Sequence, residues 1–208
     1  SADRRQITFT DGFNAGTMDL WSSRDLIWYS EKQISRVRVI RRADGYYVQF
    51  LVNWDRREEH EFQGKMTGID LGLKEFYTDS DGNTVENPRY LRKSERRLKM
   101  LQRRVSKKHS KGKKQSNRYH EARKTLAKQH LKVSRQREDK ARKDALALVK
   151  SNDLIVYEDL KIRNMIKNHH LSKSISDASW YQFTLRASIF CQGLWCHSYC
   201  STTTRHDC

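Results

Sequence analysis

Thr67-Gly68-Ile69-Asp70-Leu71-Gly72, taken with Ile155-Val156-Tyr157-Glu158-Asp159-Leu160, decides how this chain is read. Each is a short apolar run that delivers one carboxylate at or near its end. Neither is specific alone. Asp70 before Leu71-Gly72 equally fits a strand-end residue satisfying a turn, and Glu158 equally fits a strand end or a helix cap. A carboxylate within a strand costs free energy unless it is paired or metal-bound. On neighbouring strands the two would make a candidate divalent-metal site, with hard oxygen ligands that suit Mg2+ or Mn2+. Two such ions would activate water and stabilise the leaving oxygen of phosphodiester hydrolysis. That chemistry usually needs a third carboxylate, and the sequence offers no convincing one.

Between the two runs lies the charge. Of 208 residues, 42 are Lys or Arg and 25 are Asp or Glu, a net of +17. Residues 88–150 carry 24 Lys and Arg against 5 Asp and Glu, a net of +19. The remainder holds 18 basic and 20 acidic residues, a net of −2. A smeared excess could serve solubility, but one confined to a single segment is an electrostatic footprint for a polyanion. Nucleic acid is the first candidate, because phosphate neutralisation with counterion release supplies most non-specific affinity. An anionic membrane is disfavoured, since the segment has no apolar face rich in Trp or Phe. A solvated helical surface is the bland alternative.

Hydrophobic residues make up 36% of the chain and the mean hydropathy is −0.94, low for a compact globule. Much of the basic segment is therefore expected to protrude. No run approaches the roughly 18 apolar residues of a membrane span, and no signal peptide opens the chain. Cys191, Cys196, Cys200 and Cys208 all fall near the C-terminus. No disulfide framework holds the body together, which fits a reducing compartment and a cytoplasmic location.

Working outward, residues 1–62 read as β-rich. Val37 and Val39 alternate with Arg36, Arg38 and Arg41; Asp44-Gly45 is a turn dipeptide; Tyr46, Val48, Phe50 and Val52 alternate beyond it. This pattern predicts a hairpin. The start has neither an initiator Met nor an obvious capping element. A strand is predicted over Met66–Leu71, a second over residues 73–78, and a third near Thr84-Val85 after the Asp81-Gly82-Asn83 turn. Pro88 suits the first turn of a helix. Leu91, Leu98 and Val105, with Leu101, form a narrow apolar seam. Residues 107–117 (KKHSKGKKQSN) contain Gly112 and turn a helical hairpin. Tyr119, Ala122, Leu126 and Val133 resume a helical face, and Ala141, Ala145, Leu146 and Val149 carry it into the body. Residues 153–157 (DLIVY) are a strand, and residues 175–185 a helix with Trp180 and Phe183 inward. Three strands, a long helical excursion, a strand and a helix are the beginning of an RNase H-like α/β fold.

The ordered set GIDLGLKEFYTDSDG, the basic hairpin, YEDLKIRNMIKN and ISDASWYQF resembles the TnpB family. These are the OrfB-type transposase proteins of insertion sequences, related to type V CRISPR effectors. The resemblance covers about residues 34–183. It implies an α/β fold: an incomplete RNase H-like (RuvC) nuclease domain with the basic helical hairpin, preceded by part of a β-rich wedge domain. The implied division is 1–62 wedge-like, 63–187 RuvC-like with the insertion 88–150, and 188–208 an aberrant tail. The resemblance further implies an RNA-guided, Mg2+-dependent DNA endonuclease associated with transposition, with a guide RNA and target DNA as partners. Asp70 matches the first catalytic, metal-holding carboxylate and Glu158 the second; Asp159 has no catalytic counterpart. The basic helices would contact phosphate, which positions but does not specify.

The departures are as informative. Family members are about twice this length, and the N-terminal recognition part, the four-cysteine zinc ribbon and the third carboxylate are not matched here. The tail cysteines are spaced C-x4-C-x3-C-x7-C, unlike the paired C-x2-C of a ribbon, so zinc expected of the family finds no ligand set. Codon degeneracy lets residues 197–207, read one nucleotide on, resemble the family's approach to its zinc ribbon. A frameshift between about residues 183 and 197 is therefore expected, giving a truncated, inactive product whose sheet lacks its last strand and exposes an edge. A loosely packed, poorly soluble chain follows from that. The competing reading is a non-catalytic RNA- or DNA-binding protein. In it Arg96, Arg97, Arg103, Arg104, Lys107 and Lys108 hold phosphates, and alanine at these positions weakens binding uniformly. A coiled-coil assembly element is a weaker third, because the seam has few apolar positions. The oligomeric state, the guide and the target are not legible.

Overall fold

The computed structural model describes residues 6–10, 12, 15–21, 26–55, 62–194 and 197–201. The chain divides into two compact units, residues 1–55 and 56–208.

The first unit is built of two antiparallel pairs. β1 (Gln6–Thr8) pairs with β2 (Thr17–Asp19), and β3 (Ile34–Arg41) with β4 (Tyr46–Val52). The predicted hairpin is present. Asp44-Gly45 closes it: Arg42 N–H donates to Gly45 O at 2.8 Å, and the Tyr47 hydroxyl donates to the Asp44 carboxylate at 2.8 Å. The register sets Val37 opposite Phe50 and Val39 opposite Val48. Alternation thus places these apolar residues on one face, yet Val37 and Val39 are exposed.

The second unit is a five-stranded mixed sheet covered by helices on one face. β5 (Met66–Leu71), β6 (Glu75–Asp79) and β7 (Thr84–Glu86) form an antiparallel meander. The β6–β7 turn is held by Asp79, whose carboxylate accepts from the backbone of Asp81 and Asn83 and from the Asn83 side chain. Bonding to Asn83, chiefly from its side chain, holds the Asp79 carboxyl below the usual range. Two long helices follow, α1 (Tyr90–Lys108) and α2 (Asn117–Lys150), with the break where residues 107–117 predict it. Pro88 lies before the helix, not in its first turn: the N-cap is Arg89. β8 (Leu154–Glu158) returns parallel to β5. α3 (Ile162–Met165), α4 (Ser172–Ala178) and α5 (Trp180–Leu194) complete the helices, and β9 (His197–Ser201) lies parallel to β8. The strand order is β7-β6-β5-β8-β9.

Two expectations are corrected here. The predicted helix of residues 175–185 is two helices, broken at Ser179, which takes a left-handed conformation with φ 59°. The sheet has a fifth strand, β9, along the edge of β8 that was expected to be open, and α5 runs well into residues 188–208. Ala187 and Cys191 of α5 are buried.

The core explains the arrangement. Ile69, Leu71, Phe76 and Tyr77 point from the sheet to Ala141, Ala145, Leu148 and Val149 on α2 and to Trp180 and Phe183 on α5. Phe183 packs edge-on to Phe76 at 5.1 Å and stacks on Tyr77 at 5.5 Å, geometries that aromatic pairs favour. Ala141 and Ala145, 2% and 0% exposed, let α2 approach α5 closely. Burial raises the Tyr77 hydroxyl pKa, with Asp144 and then Asp79 adding to it. Farther out, Leu98, Leu101 and Val105 of α1 and Val133 of α2 are buried in the hairpin seam. α1 and α2 pack against each other along it.

Candidate functional site

The position of Asp70 follows from alternation and register. In β5, Thr67, Ile69 and Leu71 are buried, so Asp70 points to the opposite face and is exposed. In β8, Ile155 and Tyr157 share the covered face and Glu158 is exposed. The parallel register runs Met66 to Leu154, Thr67 to Ile155, Gly68 to Val156 and Ile69 to Tyr157. Asp70 and Glu158 are the next step on the two strands. Neighbouring strands lie about 4.8 Å apart, so both carboxylates project side by side from one face.

Two local devices hold that register. At the beginning of the strands, Asp153 is buried; its carboxylate accepts from Gln63 N–H at 3.1 Å and Lys65 N–H at 2.8 Å. Its own N–H donates to Lys65 O at 2.7 Å. A slip of one residue would break these bonds and turn Asp70 into the core. At the far end, Gly72 ends β5 in a tight turn: a Cβ there would lie 2.9 Å from the Glu75 carbonyl oxygen. Sequence reading took Gly72 for a strand end but had no signal for the role of Asp153.

Two exposed carboxylates at adjacent positions are hard donors of the kind Mg2+ takes. Among the described residues no group of three or more His, Cys, Asp or Glu stands close enough to hold a metal ion. Asp159 is exposed beside Glu158. Cys196 and Cys208 lie outside the described residues, and so does the predicted tail beyond Ser201.

One basic face runs along α1, and α2 also exposes Arg118, Arg123, Lys124, Lys128 and Lys132. Arg96, Arg97, Arg103, Arg104, Lys107 and Lys108 are all exposed. The first five line a shallow concavity with Lys93, Lys99 and Met100; Lys108 lies next to it in sequence but outside its lining. Residues 93, 96, 97, 100, 103, 104 and 107 follow the three- and four-residue spacing of one helix face. Lys93 and Lys99 fall within residues 92–143, the segment assigned this role from sequence, but are not among the six residues singled out; Lys93 shares the spacing, and Lys99 lies one turn from Arg96 and from Arg103. The only acid in α1 is Glu95, which binds Lys173 at 2.7 Å and Lys99 at 3.1 Å. Those bonds, the Lys173 one first, bring its carboxyl pKa down to about 2.

Asp177 orients this helix. The N-cap Arg89 has no side-chain cap bond. Instead Asp177 of α4, buried, accepts from Leu91 N–H at 2.9 Å and Arg92 N–H at 3.3 Å, and pairs with Arg137 of α2 at 2.9 Å. A carboxylate is favoured at a helix N-terminus, and this one ties α1, α2 and α4 together. The sequence showed Asp177 only as part of the ISDASW run.

Comparison with known proteins bears on these residues. The model of the OrfB_IS605 family, described as "Probable transposase", matches residues 49–169. The chain is 40% identical over 113 residues to a Streptomyces pristinaespiralis protein named "Putative RNA-guided DNA endonuclease", covering 54% of this chain and 27% of that one. It is 26% identical over 177 residues to an Escherichia coli K12 protein named "Putative RNA-guided DNA endonuclease InsQ", covering 78% of this chain and 42% of that one. The matched part is less than half the length of either relative.

Proposed function

The chain belongs to the OrfB_IS605 family of transposases, and from that premise we propose that it is a TnpB-type protein whose second unit is an RNase H-like (RuvC) nuclease domain. The observation that carries this reading is the placement of Asp70 and Glu158 one step beyond the Ile69↔Tyr157 pair, both exposed, at the carboxyl ends of adjacent parallel strands. The antiparallel β7-β6-β5 meander extended in parallel by β8 and β9 supports it. So do the two relatives named as RNA-guided DNA endonucleases.

Asp70 and Glu158 would hold Mg2+, which when bound lowers the pKa of water and stabilises a leaving oxygen. The protein's own contribution is geometric and electrostatic. Asp153 and Gly72 hold the two carboxylates level. Arg96, Arg97, Arg103, Arg104, Lys107 and Lys108 would neutralise the phosphates of guide RNA or target DNA and set the strand's position, with no sequence readout. With only two carboxylates assigned, this 208-residue chain is expected to bind nucleic acid and to cleave weakly or not at all.

The non-catalytic binding reading uses the same basic surface and is separated by one experiment. The full chain and its Asp70→Asn/Glu158→Gln variant are compared for Mg2+-dependent cleavage and for binding of labelled DNA and RNA. Cleavage lost with binding kept supports the nuclease. Where neither cleaves, Mg2+ titration separates the readings: Mg2+ bound by the full chain and not by the variant supports the nuclease site, and no Mg2+ binding by either supports the binding protein.

A further inference from the structure

We propose that the cavity between the β5–β6 turn, the start of α1 and the approach to α4 is a phosphate subsite, which seats a backbone phosphodiester of a nucleic acid strand beyond the carboxyl ends of β5 and β8. The inference rests on the nucleic-acid-binding reading above and extends its surface beyond the basic face of α1. The cavity, about 560 Å3, is lined by Lys74, Arg89, Arg92, His169, His170 and Lys173.

Its place in the fold is the first argument. Lys74 lies in the turn that follows Asp70-Leu71-Gly72, and His169 and His170 lie in the segment that follows β8 and α3. The cavity is thus walled by the two connections leaving the carboxyl ends of the parallel strands that bear Asp70 and Glu158. In open α/β sheets ligands bind in the crevice outside those ends.

Charge is the second. Two carboxylates, Glu95 and Asp177, also border the cavity, and both are committed. Glu95 is bridged by Lys173 and Lys99, and Asp177 by Arg137 and the α1 backbone. Among the described residues Lys74, Arg92, His169 and His170 have no carboxylate partner. A cationic cavity whose acids are already neutralised favours an anion.

Arg89 is the third. It is one of two non-glycine residues with positive φ among the described residues, at φ 49° and ψ 52°. Glycine or asparagine takes that conformation at lower cost. Capping does not explain an arginine there, since Asp177 does the capping. Its Nη2 reaches only long bonds to Leu73 O at 3.5 Å and Lys74 O at 3.4 Å. A guanidinium carries five N–H donors in a fork that matches phosphate, so most of its donor capacity is left for a ligand at the cavity wall.

Continuity selects the ligand. Arg92 adjoins Lys93, where the exposed basic face of α1 begins, and that face runs on to Lys107. From Arg89 to Lys107 the helix spans about 27 Å at 1.5 Å per residue, the length of about eight phosphates along one duplex strand. A polymeric phosphate fits this track; a free anion would use its end alone.

The test is fluorescence anisotropy of the full chain with a labelled single-stranded DNA of about 30 nucleotides, over a salt series. Lys74→Gln/Arg92→Gln is expected to lower the log–log salt slope by about 1.4, at about 0.7 for each single-strand phosphate that is no longer neutralised. Arg103→Gln/Arg104→Gln serves as the comparison on the α1 face. Arg89→Gly is the decisive single variant, because glycine relieves the backbone. Affinity should fall several-fold with the melting temperature unchanged or raised. If the wild-type chain shows no salt-dependent binding, the nucleic-acid reading itself fails and the subsite with it. If Arg103→Gln/Arg104→Gln lowers the slope while the Lys74/Arg92 and Arg89 variants match wild type, the reading stands and the subsite is overturned. If millimolar inorganic phosphate is bound through Lys74 and Arg92 while the DNA slope does not respond to them, the cavity takes free anion and the strand assignment is overturned.

Discussion

At the scale of single residues, the candidate site depends on groups that do no chemistry. Asp177 is the clearest: a buried carboxylate with three backbone and guanidinium partners at 2.9–3.3 Å. Asp177→Ala leaves Arg137 half-buried without its partner and two α1 N–H groups uncapped. Breaking such a pair costs about 3–5 kcal/mol. Urea unfolding of Asp177→Ala, Arg137→Ala and the double variant should show the double little worse than Asp177→Ala alone; full additivity would mean that the pair is not coupled. Gly72 acts by size. Its missing Cβ would sit 2.9 Å from Glu75 O, a backbone atom that cannot swing aside. Gly72→Ala should therefore destabilise by about 1–3 kcal/mol, as overpacking does, and it should weaken any metal response of Asp70. A variant that melts like wild type would show that the turn opens freely. Glu95 carries the pH prediction. Its carboxyl, held to about 2 by Lys173 first and Lys99 second, lies below its unfolded value. The stability it contributes is present above pH 4.5 and lost as pH falls from there towards 2. Glu95→Gln should therefore be less stable than wild type at pH 6 and equal to it near pH 2. This difference should shrink in high salt, because the pair lies at the surface.

At the scale of elements, periodicity was the legible part. The Met66–Leu71 strand, the hairpin around Asp44-Gly45 and the break between α1 and α2 are where alternation, turn residues and seam spacing place them. Signals that act across elements were not legible. Asp153 reads as the polar first residue of the DLIVY strand; only the fold puts it one residue before the strand, with its carboxylate on the backbone at Gln63 and Lys65. Ser179 reads as mid-helix, since serine carries no mark of a left-handed residue as glycine would. Arg89 is hidden for the same reason. The carboxylates themselves were legible as candidates because apolar runs delivered them, but their adjacency depends on the β5–β8 register. That register gives a prediction at this scale. Asp153→Ala removes the anchor at the strand beginnings, so amide exchange along Met66–Leu71 should accelerate well before global unfolding. Unchanged protection would mean that the apolar alternation of β5 and β8 alone fixes their alignment.

At the scale of the molecule, charge and sheet completion work against each other. A net of +19 over residues 88–150 would repel itself if those residues were packed inward. The hairpin instead runs its basic face outward and buries only Leu98, Leu101, Val105 and Val133 in its seam. Stability must then come from the sheet and from the α2–α5 layer over it. There the last elements matter more than composition suggests. The segment after residue 187 reads as foreign to the domain, yet α5 continues through it with Cys191 2% exposed, and β9 pairs with β8 from Leu154↔His197 to Glu158↔Ser201. Sequence patterning missed this because a five-residue strand of His, Ser, Tyr and Cys has no apolar run to announce it. β9 covers the outer edge of the strand that bears Glu158. Deleting residues 195–208 would leave the N–H and C=O groups of that edge unpaired, an invitation to edge-to-edge association. The deletion is expected to lower the melting temperature by about 5 °C or more, as about 2 kcal/mol does in a chain of this size, and to raise light scattering at low salt. A truncated chain that melts cooperatively at the full-length temperature and stays monodisperse would show that β8 is a stable edge in its own right, and that the residues after α5 contribute nothing to holding Glu158 beside Asp70.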